Sequence, residues 1–173
     1  MSVRVFIGLG SNLGERLAIL RSAIARLAAL PGYHLVACSS AHATRPLGPG
    51  TGPFLNAALE LRGEADATPD PEVLLDALLG IEQAHGRVRR ERWGDRTLDL
   101  DLLAIVVDGH ELAWVSERLT LPHPGALERD FVLAPLLELD AALTIAGTRC
   151  VDALAAVREP TLLDLPRARL LDP

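Results

Sequence analysis

An α+β sandwich, with helices on one face of a mainly antiparallel sheet, is what this sequence predicts, and three observations carry the prediction. Short β-branched and apolar runs alternate with stretches of helical periodicity in the order strand, helix, strand, strand, helix, strand. The chain has 173 residues, 49% hydrophobic and 23% charged, enough to bury one substantial core. No apolar run reaches the ~18 residues of a membrane helix.

The first strand is the run 3–9, apolar and β-branched, which ends at a glycine-rich turn, Gly10-Ser11-Asn12-Leu13-Gly14. Leu17, Leu20, Ile24 and Leu27 then recur at helical spacing until Pro31-Gly32 stops the helix. Residues 33–40 read as a second strand and 54–62 as a third. Between them, 45–53 is too rich in proline and glycine for a regular element, and so long a connection in a compact domain is either functional or disordered. Asp70-Pro71-Glu72 opens a second helix, with proline in its first turn and carboxylates at its positive end. Its apolar stripe is Val73, Leu74, Ala77, Leu78 and Ile81. After a second irregular loop, 86–97, comes a strand over 98–107 and a tight turn at Asp108-Gly109. This βαββαβ order predicts a ferredoxin-like sandwich. Residues 130–139 and 151–157 read as additional C-terminal helices. The expected organisation is a single domain over 1–157 followed by a tail, 158–173, of unknown role.

Composition excludes several chemistries. The chain has no lysine; all 17 of its basic residues are arginine. A phosphate-loop lysine, a protein-kinase strand lysine and a Schiff-base lysine are therefore ruled out. A net charge of −6 argues against a general nucleic-acid binder. Cys38 and Cys150 make neither a disulfide framework nor a zinc site. The first six residues lack the basic start and apolar stretch of a signal peptide, so the expected compartment is the cytoplasm, with no membrane association.

The segment richest in chemistry is Leu98-Asp99-Leu100-Asp101-Leu102. Alternation on a strand sends both aspartates to one face and the leucines to the other. Two positions along a strand span roughly 6.5 Å, which lets two carboxylates share hard cations. A wet, charged strand face is the plain alternative. The loop just before it shifts the balance. Residues 86–97 carry five arginines (Arg87, Arg89, Arg90, Arg92 and Arg96) against two acids. Guanidinium groups hold phosphate oxygens bidentately, and Trp93 offers a flat face to a base or an arginine. An ordinary surface loop or a nucleic-acid contact is the competing reading. His123, between two prolines, is stiffly held and could donate to a phosphate or cap a turn. Asn56 offers a donor and an acceptor to a heterocycle edge.

Several segments together resemble the 6-hydroxymethyl-7,8-dihydropterin pyrophosphokinase family. They are Gly8-Leu9-Gly10-Ser11-Asn12-Leu13-Gly14, Pro46-Leu47-Gly48-Pro49 with Phe54-Leu55-Asn56-Ala57, and Arg92-Trp93-Gly94-Asp95-Arg96-Thr97-Leu98-Asp99-Leu100-Asp101. Pro122-His123-Pro124 and Glu128-Arg129-Asp130-Phe131-Val132-Leu133 follow in the family's order. The similarity runs from about Val3 to about Leu139.

The resemblance implies a 2-amino-4-hydroxy-6-hydroxymethyldihydropteridine diphosphokinase. Such an enzyme moves pyrophosphate from ATP to 6-hydroxymethyl-7,8-dihydropterin in folate biosynthesis, leaving AMP. It implies two Mg2+ ions on Asp99 and Asp101, with catalytic roles for those aspartates and for Arg87, Arg89 and Arg96. The ATP contacts it implies are Glu82, Arg87, Arg89, Arg92, Trp93, Arg96, His123 and Arg129. Phe54 and Phe131 would sandwich the pterin, while Thr44, the Leu47 backbone and Asn56 would bond its edges. A monomer with these two small-molecule substrates suffices. Asp95 stands where the family often has proline, and the tail has no counterpart in the pattern. Two other classes compete: an RNA-recognition domain, which needs stacking aromatics that make up only 3% of this chain, and a metal-dependent glycosyltransferase, which needs a larger nucleotide domain.

Overall fold

The computed structural model describes residues 1–46, 52–64, 69–86 and 96–171. Its sheet is built on β1 (Val3–Ser11), which runs between β4 (Phe54–Gly63) and β5 (Asp99–Val107). β2 (Tyr33–Cys38) lies outside β4, and β6 (His110–Glu111) outside β5, giving the order β2-β4-β1-β5-β6 with every pair antiparallel. The four long strands thus adopt the ferredoxin-like arrangement. The turn into β6 uses positive φ at Asp108 (49°) and Gly109 (81°), a geometry the Asp-Gly pair tolerates.

The expected second strand, 33–40, is broken. β2 ends at Cys38 and a separate β3 (His42–Thr44) pairs with the start of β4. Ser39 makes the break: its hydroxyl accepts from the Ala58 N–H at 2.9 Å, taking a place in the ladder that a backbone carbonyl would fill. β1 is longer than expected because Gly10 and Ser11 still pair with Asn56 and Leu55.

Strand alternation sorts the core. Val3, Val5, Ile7 and Leu9 of β1, with Leu59 and Leu61 of β4 and Leu100 and Leu102 of β5, face α1 (Arg16–Ala28) and α2 (Pro71–Ala84). The Asp70 carboxylate caps α2 by accepting from Glu72 N at 3.0 Å and Val73 N at 3.3 Å. Leu74, Leu78 and Ile81 are the buried stripe; Val73, expected within it, is 64% exposed because it falls one position off that row.

Helices cover the second face as well. Phe6, Ala58, Leu103 and Ala104 pack against α3 (Asp130–Leu139) and α4 (Cys150–Ala156). The expectation of helices on one face corrects to helices on both, since Phe6, Ala58, Leu103 and Ala104 put an apolar patch on the alternate face too. No described helix is long and apolar enough to cross a membrane.

Candidate active site

A cleft of about 270 Å3 opens on the α3 side of the sheet, at the end where β1 stops. Its floor follows from register. Gly10 pairs with Asn56 on one side and Asp99 on the other, and Gly8 with Ala58 and Asp101. β1 therefore contributes no side chain between the polar group on β4 and the two carboxylates on β5. A Cβ at Gly10 would stand 2.9 Å from Asn56 Oδ1, so the bare position is a packing requirement here.

On the β4 side the wall is aromatic and amide. Phe54 and Phe131 both line the cleft. Asn56 is buried, and its Nδ2 donates to Thr44 Oγ1 at 2.7 Å. That bond fixes the amide orientation and leaves Asn56 Oδ1 over the glycine floor.

On the β5 side the wall is charged. Asp99 and Asp101 both face the cleft, while Leu98, Leu100 and Leu102 are buried in the opposite core. Arg96 Nη1 lies 2.7 Å from Asp99 Oδ1. Burial, and after it the neighbouring Asp99 charge, push the Asp101 carboxyl up to about 7, against a smaller opposing pull from Arg129. Two converging carboxylates on one face of a strand form a donor set of the kind that hard cations take. Among the described residues no group of three or more His, Cys, Asp or Glu side chains could hold a metal. Two carboxylates fit magnesium, which takes one or two from protein and the rest from water and phosphate.

The third wall comes from the turn before α3. Burial, and after it the Arg129 charge, hold the His123 ring below the ordinary histidine range. His123 Nδ1 accepts from Gly125 N at 3.1 Å, so the neutral ring carries its proton on Nε2. Arg129 lies over the Phe131 ring, 5.9 Å from its centroid, and against Gly125, where a Cβ would meet its Cζ at 2.9 Å.

The structure thus brings together Thr44, Phe54, Asn56, Arg96, Asp99, Asp101, His123, Arg129 and Phe131 of the expected site. Glu82 does not line this cleft: on α2, 1% exposed, it accepts from Leu100 N at 2.7 Å, and its charge adds to the pressure on Asp101. Leu47, Arg87, Arg89, Arg92 and Trp93 lie outside the described residues, as does Asp95.

Three features had gone unassigned in the sequence. Gly8 and Gly10 form the floor, which a strand of alternating glycines could have signalled. Asn12 locks the end of the arginine-rich segment to β1: its Oδ1 accepts from Arg96 N at 2.7 Å and its N donates to Arg96 O at 3.1 Å. Gly125 makes room for Arg129. No local pattern announces either of these last two.

Residues 6–141 match the family model described as 7,8-dihydro-6-hydroxymethylpterin-pyrophosphokinase (HPPK). A 2-amino-4-hydroxy-6-hydroxymethyldihydropteridine pyrophosphokinase of Methylorubrum extorquens is 46% identical over 154 residues, 88% of this chain and 92% of that protein. The protein of the same name from Haemophilus influenzae is 39% identical over 153 residues, covering 88% and 91%. Among solved structures, HPPK-DHPS in complex with substrates superposes with a TM-score of 0.66 at 10% identity, over 90% of this chain. Plasmodium falciparum HPPK-DHPS gives 0.59 at 12% identity, over 88%. This chain spans 43% of the length of each of those two, and at such identities they establish the fold alone.

Proposed function

This chain belongs to the 7,8-dihydro-6-hydroxymethylpterin-pyrophosphokinase family, and from that premise we propose that it transfers pyrophosphate from ATP to 6-hydroxymethyl-7,8-dihydropterin, yielding AMP and the pterin diphosphate. One observation carries the proposal: an aromatic and amide wall suited to a flat heterocycle stands across a bare glycine floor from two carboxylates, with His123, Arg129 and Arg96 beside them.

The division of labour follows from the walls. Phe54 and Phe131 take the pterin between their faces, a contact worth about 0.5–1.5 kcal/mol beyond the area buried. Asn56 and Thr44 bond its edge and set which way the hydroxymethyl group points. The His123 Nε2–H and the Arg129 guanidinium donate to phosphate oxygens. Asp99 and Asp101 would hold magnesium, which when bound with ATP supplies Lewis acidity and charge neutralisation on the triphosphate. Arg96, now on Asp99, exchanges that carboxylate for phosphate as the nucleotide enters.

The hydroxymethyl oxygen attacks the β-phosphorus as its proton passes to solvent, the bond to the α,β-bridging oxygen breaks, and AMP leaves with that oxygen. Alignment and charge compensation, rather than covalent help, are what the protein supplies. The RNA-recognition alternative needs an open aromatic sheet face, and here helices cover both faces.

Calorimetry tests the reading. 6-Hydroxymethylpterin should bind more tightly in the presence of a non-hydrolysable ATP analogue and magnesium than without them. Absence of pterin binding under all conditions would overturn the proposal.

A further inference from the structure

We propose that the tail is a strap, fastened by Asp130, that sets the width of the pterin slot, so that Asp130 and Thr161 are positioning residues for that substrate; the inference rests on the pyrophosphokinase reading above. Asp130 opens α3 between Arg129 and Phe131, which both line the cleft, yet it is itself 2% exposed. Its carboxylate faces away, to the tail. It accepts from Thr161 N and Thr161 Oγ1, each at 2.5 Å, and from Leu162 N at 2.8 Å. Three donors on one buried carboxylate make a firm joint, because a buried carboxylate stripped of its donors is costly.

The same few residues then reach the opposite wall. Thr161 O accepts from Arg45 N at 2.9 Å, and the Arg45 guanidinium donates to Pro160 O. Leu163 N donates to Ala43 O at 2.9 Å, and Leu162 pairs with Thr44 as an antiparallel bridge. Thr44 is the residue whose hydroxyl orients Asn56. Pro160 to Leu163 therefore tie the Phe131 wall to the Thr44–Asn56 wall at the level of the slot. The separation of those walls decides how well a flat ring fills the gap, and dispersion contacts fall away steeply with separation.

Farther along, the tail is anchored away from the cleft. Ala168 pairs with Ala41, Arg167 Nη1 lies 2.9 Å from Glu138 Oε1, Arg169 O accepts from Arg21, and Leu170 is 4% exposed in the main core. Leu170 supplies an internal control, since it packs in the core on the far face of the sheet and loosening it lowers stability without touching the slot.

The experiment compares D130N, T161V and L170A by calorimetry with 6-hydroxymethylpterin and with a magnesium-bound, non-hydrolysable ATP analogue. D130N should weaken pterin binding about tenfold and T161V about threefold, with the analogue changed by less than about twofold. KM for pterin should rise more than kcat falls. L170A should lower the melting temperature and leave pterin affinity as in the wild type. T161V deletes one hydroxyl and keeps the backbone donors, so the test stands even where D130N does not fold. Wild-type pterin affinity in the slot-side variants would overturn the strap, and so would equal losses for both ligands or an equal loss in L170A. A wild-type protein that binds no pterin would overturn the functional reading and the strap with it; one that binds pterin beside unaffected variants overturns the strap alone.

Discussion

Replacing Asp101 with asparagine should make the metal-free protein more stable at neutral pH while removing nearly all turnover. The carboxyl is pushed from 3.8 to about 7 by burial and by Asp99. A carboxyl whose folded-state value stands above its unfolded one takes up protons on folding, so its ionisation subtracts stability. The penalty is absent below about pH 4, grows between about 4 and 7, and is complete above 7. About three units at roughly 1.4 kcal/mol each set a ceiling near 4 kcal/mol. Water in the open cleft reduces this to on the order of 1–2 kcal/mol. For a chain of this size that is a rise of about 2–8 °C in Tm. Thermal unfolding with a chelator should show the variant melting higher at pH 8 and together with the wild type near pH 4. Magnesium with an ATP analogue should stabilise only the wild type appreciably. A variant less stable than the wild type at pH 8 in chelator, or one with near-wild-type turnover at limiting magnesium, would refute the reasoning.

Two further outcomes follow from the other walls. F54A or F131A should weaken pterin binding far more than ATP binding, by about 2–4 kcal/mol in calorimetry, since truncation forfeits both the stack and its area burial; circular dichroism would expose unfolding if both ligands weaken alike. G10A should cost about 1–3 kcal/mol in urea unfolding and weaken pterin binding at least about tenfold, because the new methyl meets Asn56 Oδ1 at 2.9 Å; wild-type affinity in that variant would mean the floor can relax.

How much of this was legible in the sequence depended on whether the signal was local. Asp99 and Asp101 share a face because a strand has period two, which five residues suffice to show. The start of α2 was legible because Asp70 and Pro71 act within one turn. The helix over 130–139 was legible from periodicity, but not which face of the sheet it covers, since that is decided by Phe6, Ala58 and Leu103 on three separate strands. The break at Ser39 was hidden because its hydroxyl substitutes for backbone in a ladder with Ala58. Asn12 and Arg96 meet across 84 positions, and Asp130 and Thr161 across 31. Single polar residues so far apart leave no periodic trace, so the joint that fastens the tail read as an uninformative terminus.

The central claim concerns which phosphorus is attacked. Carboxylates, arginines and a histidine around a triphosphate can serve attack at the β- or the γ-position, and family membership is what selects β. The direct measurement is product analysis after incubating the protein with ATP, magnesium and 6-hydroxymethyl-7,8-dihydropterin. AMP and pterin diphosphate should appear in equal amounts, stop on chelation, and depend on the pterin, because water is a poor substitute for an aligned alcohol. ADP with a pterin monophosphate would contradict the account.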